Sequence, residues 1–402
     1  MNNYITSLSQ DFISHTNQDF NSNTKTKKRD TLETLLCFSH LRWDFVFQRP
    51  QHLMTRAALG WRVFYIEEPI FSGDVTVPEV QIKRPSIIHP NLMVVTPCMP
   101  FGFNDAEVNQ AMKELLSALI SSYQIENYGL WYYTPMALKF TKHLLPNVVI
   151  FDSMDELSAF KGAPTELLSL EKELYQKTDL VFTGGKSLFE AKCHKHPEVH
   201  FFPSSIDVNH FMEARDALPE PKDQEEIPYP RMGFYGVIDE RFDVELLREL
   251  SFSRPDWQFI IIGPVVKIDP ATLPQRKNIH YLGMKSYKEL PTYLSGWNVA
   301  LLLFALNEST RFISPTKTPE YLAALKPVVS TPIQDVVDPY EALGLVSIAR
   351  DAEAFEGAIE EALQMEINND WKEKVDAYLK TNSWDITWQK MMVLINEKIL
   401  IS

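Results

Sequence analysis

A lysine and a glutamate in the C-terminal half of the chain have the spacing expected of a site for an anion beside a diol. Pro315, Thr316 and Lys317 open a predicted helix that follows an apolar, strand-like run. The unpaired N–H groups and the dipole at a helix start favour an anion, and Lys317 adds a positive charge. Glu320 lies three residues on, one helical turn away on the same face. Its carboxylate suits the vicinal hydroxyls of a ribose. We therefore predict that this segment binds a diphosphate and the sugar next to it.

Two glycines in the same half follow predicted strands and belong to the same predicted site. Gly236 and Gly263 each end an apolar run, and a glycine there lets the backbone approach a phosphate closely. Arg241 follows Gly236 by five residues and supplies another positive charge. The alternatives are ordinary turns at the glycines and a capped helix that carries Lys317 and Glu320 as a surface ion pair.

Carboxylates stand at the end of a predicted strand in the N-terminal half. Asp152 and Asp155 come directly after the apolar run Val148–Phe151. A carboxylate at a strand end that faces a cleft is a candidate general base. The alternative is a helix N-cap, a role for which Asp155 is well placed.

The loop after the first predicted strand is dense in polar and aromatic side chains. His40, Asp44 and Arg49 can bind polar groups of a substrate, and Trp43 and Phe47 can stack on a sugar face. Loops of this kind commonly carry function on a rigid scaffold. We therefore predict that the loop contacts an acceptor substrate.

The elements that position these residues alternate between strand and helix along most of the chain. Their strands read as short, continuous apolar runs, which is typical of parallel sheets buried on both faces. The alternation stops in a proline-rich, acidic stretch at 213–230 and then starts again. The fold class predicted is therefore α/β, with two Rossmann-like, doubly wound domains that face a central cleft. Ligands bind such sheets beyond the carboxyl ends of the strands.

The predicted domain boundaries follow from this alternation. We expect a disordered N-terminal arm over 1–30, an acceptor domain over 31–212, a linker over 213–230, a nucleotide-binding domain over 231–382 and a last amphipathic helix over 383–402. A length of 402 residues suits two domains of similar size.

Composition and charge exclude several classes of protein. The formal net charge of −14 disfavours nucleic acid as a partner, since nucleic-acid binding needs clustered basic residues. The apolar runs are far shorter than the roughly 20 residues of a membrane span. The basic run at 25–29 allows at most a peripheral membrane contact. Three scattered cysteines show no metal-ligand spacing and favour a reducing compartment, so we expect a cytoplasmic protein.

The residues Pro315–Val329, which read PTKTPEYLAALKPVV, resemble the donor signature of glycosyltransferases of the GT-B fold, close to family four (the group 1 glycosyl transferases). Leu325 stands where that signature has a glycine. The segments 42–51 and 151–157 look like a bacterial subgroup of the same superfamily, and the likeness runs from about Leu35 onward. The resemblance implies that Glu320 holds ribose hydroxyls and that Thr316 and Lys317 lie beside the diphosphate of a UDP- or GDP-sugar. It also implies that the last helix crosses back onto the first domain.

Two departures from the family pattern leave the reaction open. Phe312 stands where family four has the first glutamate of a Glu-x7-Glu pair, and Val237 stands where an arginine is expected. Related enzymes that invert the sugar use an aspartate of the first domain as base, which Asp152 or Asp155 would supply. The resemblance implies transfer to a hydroxyl acceptor without a cofactor or bound metal. The alternatives are a nucleotide-sugar epimerase and a non-catalytic binding or partner protein.

Overall fold

The computed structural model describes residues 31–85, 89–365 and 367–401. The predicted disordered arm over 1–30 and the basic run at 25–29 lie outside these residues. Within the described ranges, no helix is both long enough and apolar enough to cross a membrane.

The first domain is built on a mostly parallel sheet of nine strands within the described residues, in the order β3-β5-β2-β1-β6-β7-β8-β9, with β4 pairing antiparallel to β5. The strands are β1 Thr34–Ser39, β2 Arg62–Glu67, β3 Ile70–Ser72, β4 Glu79–Lys83, β5 Leu92–Pro100, β6 Tyr128–Tyr132, β7 Val148–Ser153, β8 Leu180–Thr183 and β9 Val199–Phe201. The helices are α1 Arg49–Ala57, α2 Asp105–Ser122, α3 Leu138–Thr141, α4 Leu167–Lys177 and α5 Lys186–Lys192.

Both faces of this sheet are buried, which explains why its strands are continuously apolar. Leu35 and Cys37 of β1 belong to a core on one face, and Leu36 and Phe38 belong to a core on the other. Successive side chains of a strand point to opposite faces, so one six-residue strand supplies both cores.

The second domain has a parallel sheet of six strands within the described residues, in the order β12-β11-β10-β13-β14-β15. The strands are β10 Arg231–Tyr235, β11 Gln258–Ile262, β12 Ile279–Gly283, β13 Val299–Leu302, β14 Val328–Ser330 and β15 Ser347–Ile348. The helices are α6 Val208–Met212, α7 Val244–Ser253, α8 Leu290–Ser295, α9 Lys317–Ala323, α10 Gln334–Val336, α11 Ala352–Gln364 and α12 Asn369–Leu379. The predicted pair of doubly wound α/β domains is therefore present.

The last helix, α13 Trp384–Ile401, packs on the first domain rather than on the second. Trp384, Met391, Ile395 and Ile399 are buried in the same core as β1. The chain therefore crosses back to the first domain at its end.

The chain enters the second domain earlier than the predicted linker. Phe211 and Ala214 are already part of the second domain's core. The segment predicted as a linker over 213–230 is packed rather than free. Its Gln224 is fully buried, accepts a hydrogen bond from the indole of Trp297 and donates one to the Tyr293 carbonyl. The stretch rich in proline and acidic residues thus lies near the boundary between the two domains, but it is packed against the second domain and is not a free linker.

Two local features precede α2. The segment before this helix contains the antiparallel pair β4 and β5. The N-cap of α2 is Asn104, whose side chain accepts from the N–H groups of Ala106 and Glu107. Glu107 in turn accepts from the N–H of Asn104, which completes a capping box.

Candidate active site

A cleft of about 160 Å³ lies where the two domains meet, and it is lined from both sides. The second domain contributes the loop after β10 and the start of α9, and the first domain contributes the loops after β1 and β7. Most of the predicted anion-site residues meet here. The predicted site residues that line it are Arg49, Asp155, Gly236, Arg241, Pro315, Thr316, Lys317 and Glu320.

Lys317 and Glu320 influence each other's ionisation in this cleft. Burial lowers the pKa of Lys317 to about 8, and the Glu320 carboxylate partly opposes that shift. Burial likewise raises the pKa of Glu320 to about 7. The Tyr235 hydroxyl donates to Glu320 Oε2 at 2.6 Å and fixes the carboxylate in place. The pair is therefore a half-buried cation beside an oriented carboxylate.

Gly236 makes room for Lys317 rather than offering a free N–H to a ligand. Its backbone φ is +147°, and a Cβ there would lie 2.2 Å from Lys317 Cε. Its own N–H donates to the Ile262 carbonyl at 2.8 Å. Gly263 approaches it from the neighbouring loop, where a Cβ would lie 1.8 Å from the Gly236 oxygen. Both glycines therefore permit close packing of the loops around Lys317, which corrects the predicted amide contact from Gly236.

Arg241 is held by a neighbour within its own domain. Its guanidinium binds Asp239, with Nη2 2.7 Å from Oδ2 and Nε 3.0 Å from Oδ1. The guanidinium also lies over the ring of Phe160 from the first domain, 5.2 Å from its centroid. Arg241 thus lines the cleft as the cationic half of a fixed ion pair with Asp239.

Asp155 faces the cleft from the first domain. It does not cap a helix, because the turn that follows, Leu157–Ala159, has Glu156 at its N-cap position without a side-chain cap bond. Burial raises the pKa of Asp155, and Arg241 across the cleft is the main influence that lowers it again. A carboxylate with a raised pKa accepts a proton more readily, so Asp155 has the placement and the basicity of a general base.

Asp152 and Arg49 bind each other in the interior of the first domain. Both side chains are almost fully buried, at 0% and 1% exposure, and Arg49 Nη2 lies 2.8 Å from Asp152 Oδ1. Arg49 Nη1 also donates to the Phe202 carbonyl at 2.7 Å. Asp152 is held by this guanidinium and does not line the cleft, which corrects its predicted role as base. Arg49 does line the cleft, so its predicted contact with the acceptor stays a prediction.

The loop after β1 is only partly available to a substrate. Trp43 is 8% exposed and packs edge-on against Tyr65 in the core. Asp44 is exposed and pairs with Lys83. His40 is half-buried, and burial together with the charge of Lys267 from the second domain lowers its pKa to about 4. At neutral pH His40 is therefore an uncharged group that faces the other domain. Its predicted acceptor contact stays a prediction, as does that of Asp44.

A second cavity of about 500 Å³ adjoins the cleft. Phe47 of the first domain packs against Tyr287 of the second between the two spaces, with ring centroids 5.0 Å apart. Gly263 and Trp43 line this cavity. The residues that line both spaces are Val46, Phe47, Tyr235, Gly236, Tyr287 and Leu290. Sequence reasoning did not identify Tyr235, Tyr287 or Phe160, because an isolated aromatic residue gives no local signal of a cleft.

A third cavity, of about 490 Å³, lies at the carboxyl ends of β1, β2 and β6 in the first domain. Its floor is apolar, with Phe38, Met112 and Phe140 among its lining residues. The charged lining residues are Glu67, Glu68, Asp105, Lys139 and Glu166. Lys139 is paired with Glu166 and Glu67 is paired with Arg42, so the carboxylates of Glu68 and Asp105 give this cavity its remaining negative charge.

No family model matches this chain. Among curated proteins, it is 24% identical over 165 residues to TuaH of Bacillus subtilis (strain 168), a protein named as a teichuronic acid biosynthesis glycosyltransferase. The matched region covers 40% of this chain and 42% of that relative. The chain thus spans less than half the length of the curated relative that it matches.

Solved structures match nearly the whole chain. Sucrose-phosphate synthase from Thermosynechococcus elongatus has a TM-score of 0.67 at 16% identity and covers 92% of this chain and 100% of its own. A structure from E. coli described as "Trehalose-6-phosphate from E. coli bound with UDP-2-fluoro glucose" has a TM-score of 0.66 at 13% identity, and the match covers 92% of this chain and 100% of that one. The catalytic domain of Arabidopsis thaliana starch synthase IV, bound to ADP and acarbose, has a TM-score of 0.64 at 9% identity, with coverage of 92% and 99%. The predicted GT-B fold is confirmed, and membership of family four stays a prediction.

Proposed function

We propose that this protein is a glycosyltransferase that moves a sugar from a nucleotide-diphosphate donor to a hydroxyl acceptor. The observation that carries the proposal is the cleft in which Lys317 and Glu320 of one domain face Asp155 of the other. The fold and the name of the partial relative support sugar transfer from a nucleotide sugar in general. The identities of the donor and the acceptor and the roles of the residues are part of the proposal.

The donor lies along the second domain. Glu320, oriented by Tyr235, accepts hydrogen bonds from the ribose hydroxyls, and Lys317 binds the diphosphate. The adjoining cavity of about 500 Å³ between Gly263 and Tyr287 has room for the base. A UDP- or GDP-sugar fits this arrangement because its two negative phosphates meet Lys317 and the fixed charge of Arg241.

The reaction places the acceptor hydroxyl between Asp155 and the anomeric carbon. Asp155 takes the hydroxyl proton as the new C–O bond forms and the bond to the diphosphate breaks. Lys317 and Arg241 stabilise the negative charge that develops on the leaving diphosphate. These steps invert the configuration of the anomeric carbon, which is the outcome expected when a carboxylate of the first domain acts as base.

The acceptor lies in the carboxylate-lined cavity of about 490 Å³ in the first domain. Thr134 and Glu166 line this cavity, and their chain neighbours Pro135 and Leu167 line a small space that also contains Asp155. The apolar floor suits a sugar face or an aglycone, and the carboxylates suit hydroxyl groups. Because the lining is acidic, we expect an uncharged acceptor to react faster than a phosphorylated one.

Nucleotide screening followed by turnover tests the proposal. A ligand that binds only the native state at 100 times its Kd stabilises a protein by about 2.7 kcal/mol. We expect UDP or GDP, and not the corresponding nucleoside, to raise the melting temperature. UDP- or GDP-sugars should then release the nucleoside diphosphate, faster with neutral sugar acceptors than with sugar phosphates. Failure of every nucleotide diphosphate to bind would contradict the proposal, and binding without turnover over a broad acceptor panel would favour the non-catalytic alternative.

A further inference from the structure

A carboxylate of the second domain caps a helix of the first. Asp335 Oδ2 accepts from the Lys186 N–H at 2.7 Å, and Oδ1 accepts from the Ser187 N–H at 3.0 Å. These are the first two residues of α5, whose own N-cap, Gly185, has no side chain to do this. Asp335 is 4% exposed. A buried carboxylate that accepts from two backbone N–H groups makes charge-assisted hydrogen bonds, which are stronger than neutral ones.

The capped helix start lies between the two loops that form the cleft. A Cβ at Gly184 would lie 2.6 Å from the Met154 oxygen, next to Asp155. A Cβ at Gly185 would lie 2.3 Å from Asp335 Oδ2 and 2.8 Å from Ser314 Cβ. The two glycines therefore pack between the loop that carries Asp155 and the loop that precedes Lys317.

We propose that Asp335 is a positioning residue that sets the separation of Asp155 and Lys317 by locking the second domain onto the start of α5. The roles of those two residues rest on the proposed function, whereas the interdomain contact itself does not. Asp335 touches neither the donor nor the acceptor in this scheme. Its removal therefore frees the two domains to vary in separation while the nucleotide site within the second domain keeps its form.

Asp338 offers a matched control on the same segment. It pairs with the Lys186 side chain, but both partners are about half exposed, at 44% and 47%. Exposed ion pairs contribute little to stability, because water screens the attraction between the two charges. Asp338→Ala therefore removes an interdomain ion pair without removing the buried cap.

The test measures interdomain distances by electron spin resonance in the full chain. Spin labels are placed through Ala118→Cys on α2 and Glu249→Cys on α7, both exposed, with the exposed native Cys193 replaced by serine. We expect a narrow distance distribution in the parent and in Asp338→Ala, and a broader one in Asp335→Ala. Gly185→Ala places a methyl group against the Asp335 carboxylate and should broaden the distance distribution as well. Asp335→Asn should give a narrower distribution than Asp335→Ala, because asparagine also caps helices.

Activity gives the second readout. We expect Asp335→Ala to release UDP from UDP-glucose at least tenfold more slowly than the parent, while its Kd for UDP changes less than threefold. An unchanged distance distribution in Asp335→Ala and Gly185→Ala would overturn the inference. So would an equal loss of UDP affinity and rate, which would make Asp335 a local support of the second domain. A parent that binds neither UDP nor GDP would count against the proposed function instead, and the distance measurement would still decide the interdomain contact.

Discussion

Lys317 shows how burial sets the ionisation of a single residue in this cleft. Its ammonium is half-buried and lies near the guanidinium of Arg241, and both effects lower its pKa, to about 8. The carboxylates of Glu320 and Asp239 oppose this shift only in part, and burial also raises the pKa of Glu320, to about 7. The charge of Lys317 is therefore sensitive to pH near neutrality.

This sensitivity predicts a pH dependence of nucleotide binding. An anion binds the protonated lysine, so the affinity for UDP should fall as pH rises from 7 through 9. Lys317→Ala should weaken UDP binding by roughly 10- to 100-fold at pH 7, the worth of a charge-assisted hydrogen bond. Calorimetric titration over this pH range measures both effects.

Lys317→Arg is the control for this assignment. Arginine keeps its charge over the whole range, so the variant should retain UDP binding better than the alanine variant and lose the fall in affinity above pH 8. A wild-type pH profile in both variants would show that Lys317 does not contact the diphosphate.

The two neighbouring aspartates should respond differently to the same substitution. Asp155→Asn removes the proposed base and should lower kcat by about 10²- to 10⁴-fold with little change in melting temperature or UDP affinity. Asp152→Asn leaves Arg49 buried without its countercharge and should destabilise the protein by about 3–5 kcal/mol. Steady-state kinetics and urea denaturation on both variants separate the roles. A stable, inactive Asp152→Asn would reverse the assignment.

At the scale of elements, the site depends on loops that can approach each other only through glycine. Gly236 and Gly263 both have positive φ, and their backbones touch where the loops after β10 and β11 meet. Leu325 also has a positive φ, of 55°, at the position where the resembling family has glycine. The chain after α9 therefore makes a left-handed turn at a leucine, although glycine adopts this conformation more easily.

Gly236→Ala should displace Lys317 and weaken UDP binding by about tenfold or more, because the new methyl would overlap Lys317 Cε and the backbone φ is unfavourable for alanine. Gly357→Ala in α11 is the matched control, since nothing lies within 4 Å of its added Cβ. That control should stabilise the helix by about 0.5–1 kcal/mol and leave UDP binding unchanged. Titrations of UDP with both variants test the prediction, and equal affinities would contradict it.

The whole molecule depends on a helix that returns from the end of the chain. Trp384 begins α13 and stacks on His52 of the first domain, with ring centroids 4.7 Å apart. This helix completes one core of the first domain. The chain therefore runs from the first domain to the second and then returns to the first. Side chains of α13 therefore complete this core of the first domain.

Trp384→Ala should lower the free energy of unfolding by about 3–5 kcal/mol, since it empties a site that is 1% exposed. Val393→Ala, on the exposed side of the same helix at 59%, should stay within about 0.5 kcal/mol of wild type. Urea denaturation curves compare the two. Similar midpoints for both variants would show that the helix does not complete the core.

The sequence by itself determined the alternation of strands and helices, the existence of two doubly wound domains and the local spacing of Lys317 and Glu320. The spacing of apolar residues and the positions of glycines predict the backbone conformation and the buried faces of each element, because both depend on residues nearby in the sequence. For the same reason the apolar run Val148–Phe151 coincides with the first four residues of β7.

Only the tertiary structure decided which charged residues face the cleft. Arg49 binds Asp152 from 103 residues away, and Asp335 caps a helix 149 residues earlier in the chain. Such partners depend on how whole sheets pack, and no local pattern of residues encodes that. Asp152 and Asp155 look alike as residues after a strand, yet packing buries one against a guanidinium and leaves the other at the seam between the domains.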